Sequence, residues 1–247
     1  MREKLFSSMS LMIIAGLAMN VACSESDYDS QRRQLLDVIR QDSAMAEGYG
    51  APPVSESTLD VIGKVPRHEF VPEAQKPFAY LNRPLPIGGG QTISQPYIVA
   101  LMTDLAAVGP EDVVLEIGTG SGYQAAVLSE LAKQVYTIEI IDWLGLRAAD
   151  DLERLGYDNV AVRIGDGYAG WPDHAPFDAI LVTAAPEEIP QPLIEQLAVG
   201  GRMVVPVGAQ NETQTLRLLT KQADGSVSVD NIIPVRFVPF TRDPAAE

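Results

Sequence analysis

One cysteine, Cys23, and two histidines, His68 and His174, are all this 247-residue chain holds of the side chains that dominate disulfide frameworks and soft metal sites. A lone cysteine excludes an internal disulfide and a thiolate-bound metal cluster. Two histidines make an imidazole-rich metal site a poor expectation, although carboxylate ligands stay open. Positive charge is also scarce, with 18 Lys and Arg against 33 Asp and Glu and a net charge of −15. Such a chain repels phosphate backbones at long range, so nucleic acid is a poor candidate substrate. There is no internal repeat and no low-complexity segment. What remains is enough chain to bury a large core without covalent staples.

The start of the chain stands apart. Arg2 and Lys4 precede an apolar run from Leu11 to Leu17, followed by Ala18-Met19-Asn20-Val21-Ala22-Cys23. A basic start, a short apolar stretch and small residues before a cut site describe an export signal, and the run is too short to span a membrane comfortably. Cys23 directly after Val21-Ala22 resembles a bacterial lipoprotein signal, in which that cysteine is lipidated and becomes the new terminus. Asn20 departs from that pattern, where a leucine is usual, and a buried N-terminal helix is the alternative. The expectation is a signal over 1–22, a tether and helix over 23–53, and a catalytic domain over 54–247. Within the second part, Ser24 to about Ser30 reads as tether and Gln31 to Gln41 as helix.

Pro52-Pro53 marks the boundary of the main body. Leu59, Ile62 and Val65 share one side of a short helix that Pro66 stops. From Pro66 to Gln95 the prolines and the run Gly88-Gly89-Gly90 predict a loop-rich surface segment, the glycines serving as a lid or merely a turn. Pro96 then opens a helix with Ile98, Leu101, Met102 and Leu105 at i, i+3, i+4 and i+7. From Glu111 onward apolar strands alternate with helices: strands at Val113–Ile117, Val135–Ile138, Val160–Ile164, Ala179–Val182 and Met203–Val205. The intervening helices carry Ala125, Leu128 and Ala132, then Leu144 to Leu155, then Leu193, Ile194 and Leu197, with Gly200-Gly201 ending the last. Near-continuous apolar strands mean a parallel sheet covered on both faces. Alternation in Leu216-Arg217-Leu218 and Val227-Ser228-Val229 predicts antiparallel strands finishing it.

Glu116-Ile117-Gly118-Thr119-Gly120-Ser121-Gly122 follows the first buried strand directly. Glycines permit a tight strand-to-helix turn and a close backbone approach to a ligand. The spacing is not G-x-G-x-x-G, which disfavours a nicotinamide dinucleotide, and a carboxylate at Glu116 would repel a pyrophosphate. E-x-G-x-G-x-G instead resembles the cofactor loop of class I methyltransferases, where Glu116 would sit beside a cationic ligand. Glu139, ending the second strand, can accept hydrogen bonds from both ribose hydroxyls, or be a solvated strand end. Asp166, in Gly165-Asp166-Gly167, could take the amino group of adenine, or be a turn residue. Three polar features at the C-terminal ends of successive strands fit the crevice rule for open α/β sheets and point to a nucleoside-type cofactor.

A narrower resemblance covers about Leu59 to Thr241. Val65-Pro66-Arg67, Leu85-Pro86-Ile87-Gly88, Gln91-Thr92-Ile93-Ser94-Gln95-Pro96, Glu116 to Tyr123, Gly165-Asp166-Gly167, Phe177 to Ile180, Val182-Thr183-Ala184-Ala185 and Val235-Arg236-Phe237-Val238-Pro239 are similar, in order, to the protein-L-isoaspartate O-methyltransferase family. The leader is not part of it, and Trp143-Leu144-Gly145 departs by replacing a more polar helix start. The resemblance implies a Rossmann-like class I methyltransferase: a mostly parallel doubly wound sheet, antiparallel C-terminal strands and an N-terminal helical extension. It implies S-adenosylmethionine as cofactor, held by Thr92, Ile93, Glu116, Gly118, Thr119, Gly120, Ser121, Gly122, Glu139, Asp166, Gly167, Thr183 and Ala184. The substrate would be an isoaspartyl residue of a damaged protein, whose free α-carboxylate is ionised near pH 7 and attacks without a general base. Ser94 matches the family's active-site serine and would orient that carboxylate, with Val238 and Pro239 on the substrate side. On its position alone, Ser94 reads as a helix-entry cap, worth about 1 kcal/mol.

His68, His174 and Trp171 read as bland, the histidines at the surface and Trp171 beneath the loop after Gly167. The competing functions are a class I methyltransferase on a small molecule, an exported binding protein without turnover, and, more distantly, a nicotinamide dehydrogenase. The chain is expected to act as a monomer. Its leader places it in the cell envelope, whereas the family resemblance implies the cytoplasm.

Overall fold

The computed structural model describes residues 25–242. Helix α1 (Glu25–Glu47) runs unbroken from its first described residue, where the sequence suggests a tether to about Ser30. Tyr28, Leu35 and Ile39 are buried along one side of it and fasten it to the core. Tyr28 stacks on His68 with ring centroids 3.8 Å apart, and His68 Nδ1 lies 2.8 Å from the Tyr80 hydroxyl. His68 is therefore buried beneath α1 rather than at the surface. Helix α2 (Glu56–Lys64) is capped by Ser55 and ends before Pro66.

The segment from 66 to 95 contains two 3-10 turns and a two-stranded hairpin, β1 (Leu85–Gly88) with β2 (Gln91–Ile93). It is not the surface loop that its prolines and glycines suggest. Phe70, Val71, Ala79, Tyr80, Leu85, Ile87 and Ile93 are all buried in the main core. The glycine run is the hairpin's turn. Helix α3 (Pro96–Ala106) follows, and its apolar stripe packs on the sheet.

The remaining elements alternate as the apolar periodicity requires. They are β3 (Val113–Ile117), α4 (Tyr123–Ser129), β4 (Gln134–Glu139), α5 (Asp142–Arg154), β5 (Val160–Ile164) and β6 (Phe177–Val182). Next come α6 (Gln191–Gln196), β7 (Leu197–Val207), β8 (Gln214–Lys221) and β9 (Val227–Val235). Helix α6 is shorter than the pattern suggests, because Leu197 already pairs with Phe177 as the start of β7. Gly200-Gly201 thus lies within a strand rather than at a helix end. The seven strands are ordered β5-β4-β3-β6-β7-β8-β9. Pairings from β5 through β7 are parallel, and β8 and β9 are added antiparallel. The chain winds outward from β3 to β5 and then returns to the other side of β3. Ligand crevices of such sheets open at this reversal, above the C-terminal ends of the central strands.

Candidate functional site

A cavity opens there, above the ends of β3 and β4. Its floor is the turn leaving β3. Gly118 adopts φ +95°, and a Cβ there would meet the Thr183 hydroxyl at 2.5 Å. That hydroxyl donates to the carbonyls of Gly118 at 2.6 Å and Ile117 at 3.0 Å, tying the end of β6 to the turn. The Gly118 and Thr119 amides donate to the carbonyl of Ile138, which draws the turn toward β4.

Two carboxylates face this cavity. Glu116 is 0 % exposed, and its Oε2 accepts the Thr137 hydroxyl at 2.5 Å. Its Oε1 is buried without a hydrogen-bond partner. Burial above all, helped by the nearby Glu139 charge and opposed by Thr137, pushes its pKa up to about 8. Glu139 accepts the Gly120 amide at 2.8 Å and the Ile141 amide at 3.0 Å, one on each oxygen. Each oxygen keeps a further lone pair for a hydroxyl donor. Helix α5 reaches this carboxylate closely because residue 145 is glycine: a Cβ there would lie 3.0 Å from Glu139 Cβ and 2.3 Å from Ile164 Cδ1. This gives the Trp143-Leu144-Gly145 departure a local reason. Leu144 is buried, and Trp143 covers the glycines of the β1–β2 turn.

An orphaned carboxylate oxygen beside a second acid suits a ligand that brings a cation and hydroxyl donors. S-adenosylmethionine, with its sulfonium, amino group and ribose, has that chemistry.

Thr92, Ile93, Ser94, Glu116, Gly118, Thr119, Ser121, Glu139, Gly167, Thr183, Ala184, Val238 and Pro239 all line the cavity. Gly120, Gly122 and Asp166 do not. Gly120 presents its amide to Glu139, whereas Gly122 caps α4 and lies against Leu152 and Ala148. Asp166 is turned to its own backbone and to the C-terminus, accepting the Tyr168 amide at 2.8 Å and Arg242 Nε at 2.9 Å. Sequence reasoning missed Val99, Tyr123, Gln124, Ile138, Ile140, Ile141, Phe240 and Thr241, which also line the cavity. Ile140 and Ile141 had a signal, an apolar pair directly after an acidic strand end. Trp171 packs edge-on against Tyr136, and His174 stacks on the same ring, so neither reaches the site.

A second cavity adjoins the first. Thr92, Ser94, Thr183 and Val238 line both, so Ser94 stands where they meet. Ser94 is not the cap of α3: that position belongs to Gln95, which makes no side-chain capping bond, and Pro96 fills the first turn. Val238 and Pro239 are held over the junction by backbone bonds, Ala185 N–H to the Val238 carbonyl at 2.8 Å and Phe240 N–H to the Ala185 carbonyl at 3.0 Å.

The strand order, the glycine turn and the paired acids at the switch point define a Rossmann-like S-adenosylmethionine-dependent methyltransferase of class I. The family described as protein-L-isoaspartate(D-aspartate) O-methyltransferase matches residues 45–245, and the chain belongs to it. A Cupriavidus necator relative, protein-L-isoaspartate O-methyltransferase 1, is 58% identical over 234 residues, covering 93% of this chain and 90% of that protein. A Polaromonas relative, protein-L-isoaspartate O-methyltransferase 2, is 66% identical over 192 residues, or 78% of this chain and 91% of that protein. A solved protein-L-isoaspartate O-methyltransferase superposes with TM-score 0.73 at 30% identity, over 84% of this chain and 65% of the other. A Plasmodium falciparum structure in complex with S-adenosyl-L-homocysteine shares the fold at TM-score 0.70 and 22% identity, over 87% of this chain and 99% of the other.

Proposed function

We infer that the two adjoining cavities divide one reaction between them, the inner holding S-adenosylmethionine and the outer admitting a peptide. The reaction moves a methyl group to the free α-carboxylate of an isoaspartyl residue in a damaged protein, the step that begins repair. When bound, the cofactor supplies a methyl group made electrophilic by its cationic sulfur. Glu116 offers its unpartnered oxygen to the cationic methionine end, and Glu139 takes the ribose hydroxyls with its remaining lone pairs. The substrate carboxylate is already ionised near neutral pH, so no general base is required. What the chain must do is hold the carboxylate in line and exclude water. Ser94 would donate its hydroxyl to one carboxylate oxygen and leave the other free to accept the methyl group. Val238 and Pro239 shape the peptide side.

The observation that carries this reading is the place of Ser94, at the junction of the two cavities and off the cap position. Ser94→Ala should lower turnover on an isoaspartyl peptide about ten- to a hundredfold, the worth of a hydrogen bond to a charged group. Its affinity for S-adenosylhomocysteine should stay within about twofold, since Glu116 and Glu139, the residues assigned to the cofactor's polar groups, are untouched. Near-native turnover would return Ser94 to a structural role.

The same reading includes export and a monomeric enzyme. Arg2, Lys4, the apolar run and Cys23 support a cleaved signal with lipid attachment, and they lie outside the described residues. Because α1 begins at Glu25 and is fastened through Tyr28, Leu35 and Ile39, an anchor at Cys23 would hold the domain close to the membrane surface. Among the described residues no helix is long and apolar enough to cross a membrane.

A further inference from the structure

Arg67 heads the fully buried side chains by volume, at 0 % exposure. It opens the 3-10 turn Arg67–Phe70 directly after Pro66. Its Nε donates to the Ala79 carbonyl at 2.9 Å and its Nη2 to the Ser94 carbonyl at 2.7 Å. The guanidinium carbon lies 4.8 Å from the ring centroid of Tyr123, which lines the inner cavity. Nη1 is buried, and a side-chain hydrogen bond with Tyr123 is among the interactions that favour the charge. No described Asp or Glu pairs with this cation; the partners that favour its charge are Tyr123 and Tyr80. Burial lowers its pKa to about 10, which leaves it protonated at neutral pH.

A buried cation without an anion is costly, because water is lost and no counter-charge replaces it. A mere clamp between the end of one turn and the segment after β2 does not need a charge there. The guanidinium lines neither cavity, so its influence on an arriving carboxylate runs through Ser94, the residue whose backbone Arg67 holds. We propose that Arg67 is a positioning residue for methyl transfer, fixing Ser94 through its backbone and biasing the outer cavity toward an ionised carboxylate. This rests on the assignment of Ser94 to the substrate carboxylate.

The test uses the full chain, as wild type and as Arg67→Met, Arg67→Lys and Ser94→Ala. Calorimetry measures affinity for S-adenosylhomocysteine. The affinity of the loaded enzyme is then measured for an isoaspartyl peptide and for the same peptide with an α-carboxamide in place of the α-carboxylate. Wild type should prefer the carboxylate at least tenfold, and equal binding overturns the proposal whatever the variants do. Arg67→Met should lose most of that preference and raise the peptide KM about tenfold or more, with S-adenosylhomocysteine affinity changed no more than about twofold. Arg67→Lys keeps the charge but not the two-point fork, so it should retain the preference while KM rises severalfold. It decides the matter if Arg67→Met does not fold. A folded Arg67→Met with unchanged preference, or cofactor and peptide affinities falling in parallel, would leave Arg67 a structural clamp. If Ser94→Ala turns over normally the underlying site assignment fails; if only the Arg67 variants are native, this inference alone fails.

Discussion

Replacing Glu116 with glutamine changes the cofactor site's charge while nearly preserving its shape. In the folded protein without ligand, its carboxyl has a pKa near 8, raised mainly by burial. At pH 7 that group is mostly protonated. A cation beside the unpartnered Oε1 favours the ionised form. Binding S-adenosylmethionine at pH 7 should therefore release close to one proton more from wild type than from Glu116→Gln. Wild-type affinity should climb between pH 6 and 8, by up to about tenfold per unit relative to the variant, and then level off. At pH 8 the variant should bind about ten- to a hundredfold more weakly, the worth of a charge-assisted contact of about 1.5–3 kcal/mol. Stability moves the opposite way. A carboxyl whose folded pKa exceeds its unfolded value of 4.5 favours the fold when protonated. That contribution is complete below about pH 4.5 and is lost as pH rises to about 8, at up to about 1.4 kcal/mol per unit. The ligand-free variant should therefore melt higher than wild type at pH 8 and show little difference at pH 5. Calorimetry in two buffers of different ionisation enthalpy measures the proton release, and thermal unfolding at the two pH values measures the stability. Equal proton release by the two proteins, with parallel pH profiles of affinity, would refute the reasoning.

If Glu139 takes the ribose hydroxyls as proposed, Glu139→Ala should weaken S-adenosylmethionine binding by about 1.5–3 kcal/mol with the fold intact, and it also frees the Gly120 amide. Unchanged affinity by calorimetry would take Glu139 out of the site. Cys23→Ser should move the protein from the membrane fraction to the soluble fraction, or leave its precursor uncut, with catalysis in vitro untouched. Additional acyl chains on one cysteine make attachment stable where a single chain does not. Wild-type protein found soluble in the cytoplasm with Met1 or Arg2 still present would end the export proposal.

The parallel sheet was legible because strands buried on both faces leave nearly continuous apolar runs, and Val113–Ile117 and Val160–Ile164 have the boundaries their runs suggest. The segment from 66 to 95 was misread for a physical reason. Proline and glycine report backbone geometry, not exposure, and here they shape turns whose Phe70, Tyr80, Leu85 and Ile87 fill the core. The start of α1 is polar and acidic and so suggests a tether; Tyr28 on His68, which fastens it, is a pairing of distant residues that no local pattern shows. Within the site, the glycine turn and both glutamates could be found from their place at strand ends. Asp166 satisfies the same rule, and it also accepts Arg242 Nε from the far end of the chain. Arg67 stood in plain view within Val65-Pro66-Arg67. Its complete burial, and its grip on Ser94, depend on the packing of a hairpin, a helix and a turn together.

The most direct measurement incubates purified protein with methyl-labelled S-adenosylmethionine and two peptides of identical composition, one carrying an isoaspartyl linkage and the other a normal aspartyl linkage. Label should enter the isoaspartyl peptide as a base-labile methyl ester and leave the aspartyl peptide essentially unmodified. Equal labelling of both peptides, or none of either by protein shown to bind S-adenosylhomocysteine, would contradict the account.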